Sequence, residues 1–221
     1  MTDVFEEVEG ELRAERYRSV GRRLLPWIIG LALLALAIAL AVWGWGEWNR
    51  RAAAGASVEY AAGLTALQAE NQAEAERRFA AVAQSRSAAY KSLALMQQAS
   101  IKLAQERPRE AVPLLDAAAD AADDEILGDA ARLKAAFLVM DWAPYADQER
   151  RLRPLTGEGR PFAMVAREAL AMARIQAGRG KDARRDFVVL SQSLNAPESM
   201  RNRAQRMLAA IDSGAAAQVP A

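Results

Sequence analysis

The sequence predicts an all-α chain: an N-terminal helix fit to span a membrane, followed by an α-solenoid of helical hairpins. Three observations carry that expectation. Leu24–Gly46 contains no charged residue. The remainder is rich in alanine and poor in aromatic and β-branched residues, a composition that favours helix over strand. Finally, a pattern of an alanine followed four positions later by a large apolar residue, and then by another apolar residue, returns in register along the second part of the chain.

Residues 1–23 read as a cytoplasmic amphipathic helix. Asp3 followed by Glu6 fits a capping box, and Val4, Phe5, Val8 and Leu12 share one face at spacings of three and four. A helix this short is marginal alone in water, so the stripe calls for a partner or the membrane surface.

Residues 24–46 read as a transmembrane anchor. At about 1.5 Å per residue the helix covers roughly 35 Å, enough for the hydrocarbon core of a bilayer. Trp27 stands at one end and Trp43, Trp45 and Trp48 at the other, where amphipathic rings settle at headgroup depth. A buried core helix of that length would keep a polar face, and this one has none. A cleaved signal has a shorter apolar region, about 7–15 residues, followed by small residues. Here the run closes in Trp-Gly-Trp-Gly-Glu-Trp, and the segment is expected to stay attached. Arg13, Arg16, Arg18, Arg22 and Arg23 precede the span, against Arg50 and Arg51 after it. That asymmetry places the N-terminus in the cytoplasm and residues 47–221 on the far side.

Residues 47–56 are expected to form a short linker. Within residues 57–212, helices are expected at about 57–70, 73–85, 88–105, 109–121, 125–140, 144–153, 161–177, 180–193 and 197–211. The breaks carry Asn71, Pro108, Pro144, Pro154 with Gly157 and Gly159, Gly178 with Gly180, and Pro197. Residues 213–221, Ala-rich and ending in Val-Pro-Ala, are expected to be a disordered tail.

Composition narrows the chemistry. The formal net charge is +1, which gives no reason to expect nucleic acid. Arg77-Arg78 and Arg184-Arg185 stand among acids and read as solvated helix faces. There is no cysteine, hence no disulfide and no thiolate site. There is no histidine either, which removes the commonest general base and the commonest metal ligand. No Gly-rich phosphate loop or G-x-S-x-G turn occurs. The one acidic cluster, Asp123-Asp124-Glu125, opens a helix, where acids cap and complement the dipole. The chain reads as a non-enzyme without cofactor or metal.

The repeat emerges on comparing helices. Ala75, Phe79 and Val82 return 36 positions later as Ala111, Leu115 and Ala118, and a further 72 later as Ala183, Phe187 and Leu190. Twelve positions upstream of each alanine sits a small residue: Gly63, Ala99 and Ala171. A small residue in one helix lets the next pack close, and a large one fills the space between pairs. The missing copy falls on Asp147, Arg151 and Pro154, with Ala135 at its small position, and is degenerate.

This spacing resembles tetratricopeptide repeats, whose usual period is about 34. Together with Asp3-Val4-Phe5-Glu6-Glu7-Val8, Glu11-Leu12-Arg13-Ala14-Glu15-Arg16 and a single span, the layout resembles the ancillary subunit family of the bacterial Sec translocon. The resemblance implies an inner-membrane protein with a periplasmic repeat domain, in contact with Sec translocon components, periplasmic chaperones and emerging unfolded polypeptides.

Stacked repeat helices leave a concave face. Mapping the tetratricopeptide pattern places Tyr60, Leu64, Leu67, Leu93, Met96, Val139, Met140, Met172 and Ile175 on or near it, as protein-binding candidates. Methionine suits surfaces that take varied apolar partners, although Met or Leu at helical spacing also builds cores. Three functions are open on these residues: a membrane-tethered interaction module for protein export, a structural scaffold of another envelope complex acting through its anchor, or a degenerate enzyme or lipid-handling domain.

Overall fold

The structure, a computed structural model, describes residues 3–214, with side chains described from Trp27 onward apart from a few positions. The Asp3–Glu6 pair, the Val4–Leu12 stripe and tail residues 215–221 lie outside the described side chains. The chain divides into two compact units, Met1–Arg51 and Ala52–Ala221.

The first unit holds most of α1, which runs Asp3–Gln68. Among the described residues it is the one helix long and apolar enough to cross a membrane, and none of its apolar window is buried. Trp27, Leu31, Leu33, Ile38, Leu40 and Trp43 are all exposed, unlike the side chains of a core helix. The expected linker at 47–56 is helical instead. Ala52, Ala53 and Ala54 are the best helix formers, and Arg51 Nε donates to Glu47 one turn earlier at 3.0 Å. One glycine, Gly55, costs about 1 kcal/mol, too little to break that run.

The second unit continues with α2 Gln72–Ala83, α3 Ala88–Ala104, α4 Pro108–Ala121 and α5 Glu125–Val139. Then come α6 Tyr145–Leu152 with a 3-10 turn at Arg153–Thr156, α7 Ala163–Gln176, α8 Gly180–Gln192 and α9 Glu198–Asp212. Each helix from α2 onward packs on its successor, and no strand occurs among the described residues. The all-α stack of hairpins predicted from the sequence is therefore the fold. Asp124 caps α5, its carboxylate accepting from Leu127 N at 2.9 Å, as the acidic cluster suggested.

The repeat register accounts for the core. Ala75, Phe79 and Val82 are buried, as are Ala111, Leu115 and Ala118, and again Ala183, Phe187 and Leu190. Their upstream partners sit in the same clusters: Ala99 with Ala111 and Leu115, Ala171 with Ala183 and Phe187. Gly63 shows why the position is small. A Cβ there would lie 2.7 Å from Cε1 of Phe79, inside any tolerable contact.

The third hairpin corrects the expected register. Asp147 and Arg151 are only half-buried and Pro154 is exposed, while their neighbours Gln148, Leu152 and Leu155 are buried. The whole copy is displaced by one residue, and its small position is Ala136, clustered with Leu152 and Leu155, rather than Ala135. The interval is thus 37 from Ala111 to Gln148 and 35 from Gln148 to Ala183.

The slip enters between Ala111 and Ala136, which are 25 positions apart against 24 from Ala75 to Ala99, and the turn inside the third hairpin differs as well. Helices α1, α3 and α7 are closed by Glu70, Glu106 and Gly178, all left-handed, with φ of 57°, 59° and 70°. In each, the left-handed residue's N–H returns to Leu67, Leu103 or Ile175 at 2.9–3.0 Å. The next N–H reaches Ala66, Lys102 or Arg174 at 2.7–2.9 Å. This paired arrangement satisfies the last carbonyls of each helix. The α5–α6 turn has no left-handed residue and lacks those bonds. Gln148 replaces them: its Nε2 donates to Met140 O at 3.0 Å and Ala143 O at 2.8 Å. A glutamine thus stands where the other copies have alanine.

Two of the three left-handed positions hold glutamate, which has a Cβ to strain there. Glu106→Gly is expected to raise stability by about 0.5–1 kcal/mol, and Gly178→Ala to lower it by about 1 kcal/mol, since a Cβ at Gly178 meets no atom within 4 Å and only φ is tested. Urea midpoints of the full chain measure both. Equal midpoints for all three proteins would show that the turns relax.

The basic pairs lie on ion-paired helix faces: Arg77 and Arg78 with Glu74, Arg184 with Asp212, Arg185 with Asp182. More informative are three pairs that join successive hairpins at a constant sequence separation. Asp116 meets Arg151 at 2.6 and 2.9 Å, Glu125 meets Arg160, and Glu168 meets Arg203 at 2.8 Å twice. Arg174 ties α7 to α6 and α8 through Tyr145, Glu149 and Asp186. Burial opposes its charge, but the Tyr145 hydroxyl and the two carboxylates outweigh that and hold the guanidinium above the ordinary arginine range.

Candidate protein-binding surface

Counting from the small position of each hairpin gives two rows on the first helices. The next residue is Leu64, Ser100, Phe137 and Met172 in turn; the fourth residue on is Leu67, Leu103, Met140 and Ile175. The two positions are three residues apart and so share a helix face, and the rows run side by side. Most members are apolar. Phe137 is 44% exposed and Met172 36%, high values for large apolar side chains in a packed array.

At the C-terminal end the rows open into a pocket of about 460 Å³ between α5, α7, α8 and α9. Phe137, Met140, Val165, Ala169, Met172, Phe187 and Met207 give it an apolar lining, and Glu168, Arg203 and Arg206 line it with charge. Arg203 is engaged by Glu168, whose carboxylate holds the guanidinium above the ordinary arginine range. Arg206 is exposed and has no ion pair among the described residues.

The family model described as a tetratricopeptide repeat-like domain matches residues 25–187, taking in the apolar part of α1 and the hairpins through Phe187. The chain belongs to the tetratricopeptide repeat-like family. No curated protein and no solved structure matches it. Among the described residues of this tetratricopeptide repeat-like chain, no group of three or more metal-ligating side chains comes together. Its described polar side chains include helix caps at Asn71 and Asp124 and ion pairs between hairpins such as Asp116–Arg151 and Glu168–Arg203.

The array places the nine sequence-predicted residues unevenly. Met140 and Met172 meet in the pocket. Leu64, Leu67 and Ile175 lie in the two rows but rest partly on core clusters. Tyr60 is committed elsewhere: its ring lies 5.4 Å from Phe79 and 5.9 Å from Tyr90, and its hydroxyl accepts from Gln97 Nε2 at 3.0 Å. Met96 packs against two alanine-rich clusters between α3, α4 and α5. Val139, 5% exposed, offers no surface, and Leu93 is half-buried outside the pocket. Phe137, Leu103 and Met207 are absent from the sequence-predicted set. Phe137 becomes visible in the sequence once the third copy is displaced by one, which sets it level with Leu64 and Met172.

Proposed function

We propose that the chain is a membrane-tethered interaction module, anchored by residues 24–46 in the bacterial inner membrane with residues 1–23 cytoplasmic and the repeat unit periplasmic. It serves as an accessory to the Sec translocon and periplasmic chaperones, holding partners or emerging polypeptides in the groove of α5, α7 and α9. The observation that carries the reading is the exposed Phe137–Met172 pair, at the mouth of a methionine-lined pocket in a family of repeat arrays. Methionine adapts to apolar side chains of different shape, which suits varied clients. The partners and the orientation rest on the resemblance of the layout and on the arginine asymmetry.

A second reading has a specific observation in its favour. The apolar side chains of the span are unburied, and a recess lies beside Gly30, lined by Trp27, Leu31 and Leu34, a feature suited to helix packing in lipid. In that case the protein is an envelope scaffold acting through its anchor. A photoreactive amino acid placed at position 137 or at position 33 of the full chain in native membranes separates the two. Capture of a translocon subunit, a periplasmic chaperone or a nascent exported chain from 137 is expected. Capture from 33 alone would favour the scaffold, and capture of a cytoplasmic protein from 137 would reverse the orientation.

A further inference from the structure

The charges lining the pocket discriminate among apolar ligands. Its apolar wall includes Met140, Met172 and Met207, and its charged side chains come from α7 and α9. Of the three, Glu168 and Arg203 neutralise each other through two bonds of 2.8 Å. Arg206 remains, exposed on α9 and without an ion pair among the described residues. A segment seated on the methionines therefore meets one uncompensated positive charge and no free negative one.

We infer that this groove takes an apolar peptide segment flanked by a carboxylate, its apolar side chains among Met140, Met172 and Met207 and its acid facing Arg206. The inference rests on the interaction-module reading and names the chemistry of the occupant. A basic flank would bring like charges together beside an apolar wall, where water screens them poorly. An uncharged flank would leave Arg206 in solvent, with neither gain nor loss. The discrimination is one of charge sign, imposed on a pocket whose methionines tolerate different shapes.

The test uses the full chain in detergent and three fluorescein-labelled peptides, each with a Leu-Phe-Leu centre flanked by Glu, by Gln or by Lys. At low salt, the Glu-flanked peptide is expected to bind about tenfold or more tighter than the Lys-flanked one, with the Gln peptide between. Arg206→Glu should invert the order and Arg206→Gln should flatten it, with circular dichroism confirming that both stay folded. Met172→Glu should weaken all three. Equal binding of the three peptides, or an order unchanged in both Arg206 variants, overturns the inference. If binding is then still lost in Met172→Glu, the interaction-module reading stands without it. No binding of any peptide to the folded chain overturns both.

Discussion

Phe187→Ala is expected to lower the stability of the repeat unit by about 3–5 kcal/mol, the range for emptying a buried aromatic site. Phe187 is 1% exposed and clusters with Ala171, Ala183, Leu190, Ala196, Met200 and Ala204. Most of those neighbours are alanines on helices already in close contact, which cannot extend into the space a lost ring leaves. The cavity therefore stays open, and its cost adds to the lost transfer energy. Urea unfolding of the full chain followed by circular dichroism reads the loss, with Val189→Ala, on the exposed side of the same helix, as a control expected to lie within about 0.5 kcal/mol. A loss below about 1 kcal/mol for Phe187→Ala would mean that the residue does not fill the space between hairpins.

Arg160→Ala is the second large effect, expected at about 2–4 kcal/mol, because it leaves a buried carboxylate without its main partner. Asp129 on α5 is 0% exposed and is held by Arg160, from the segment before α7, and by Arg132 at 3.2 Å. Its second oxygen has no protein partner. Removing Arg160 leaves the charge to Arg132 alone, a side chain that also reaches water. The reverse change should be mild. Asp129→Asn leaves Arg160 paired with Glu125 and removes the buried charge, for a loss of about 1 kcal/mol or less. Thermal melts of both variants check the asymmetry. Equal losses would show that the pair acts by packing rather than by charge.

The parts of this fold that depend on local rules are legible in the sequence. Helix ends lie close to their expected positions because Asn71, Asp124, Pro144, Gly178 and Pro197 mark boundaries by their own chemistry. The core of the first, second and fourth hairpins follows from a strict spacing of small and large residues. Three features are not visible. Glu70 and Glu106 adopt left-handed backbone that glutamate does not announce, so only Gly178 stands out. The stretch before Ala56 looks like a linker because charged and small residues also make good helix. The third hairpin is hidden because a fixed period carries no allowance for one extra residue between Ala111 and Ala136. That loss spreads to the candidate surface: with the copy misplaced, Val139 is drawn in and Phe137 left out. Tyr60 and Met96 stand apart from the pocket for another reason. They occupy plausible positions but are claimed by Phe79, Tyr90 and the alanine clusters, contacts between elements that spacing alone does not reveal.

The long interval into the third hairpin and the short one out of it cancel, so the fourth hairpin resumes the phase of the second. The extra residue before Gln148 and the missing one before Ala183 are therefore two halves of one change. Removing one residue between Ala111 and Ala136 alone, or adding one between Gln148 and Ala171 alone, would leave the fourth hairpin out of phase with the second. Made together, the two edits would restore an even period of 36 throughout. Each step is harmful by itself and tolerable only in company, which makes the irregular hairpin a state that single insertions or deletions do not readily leave.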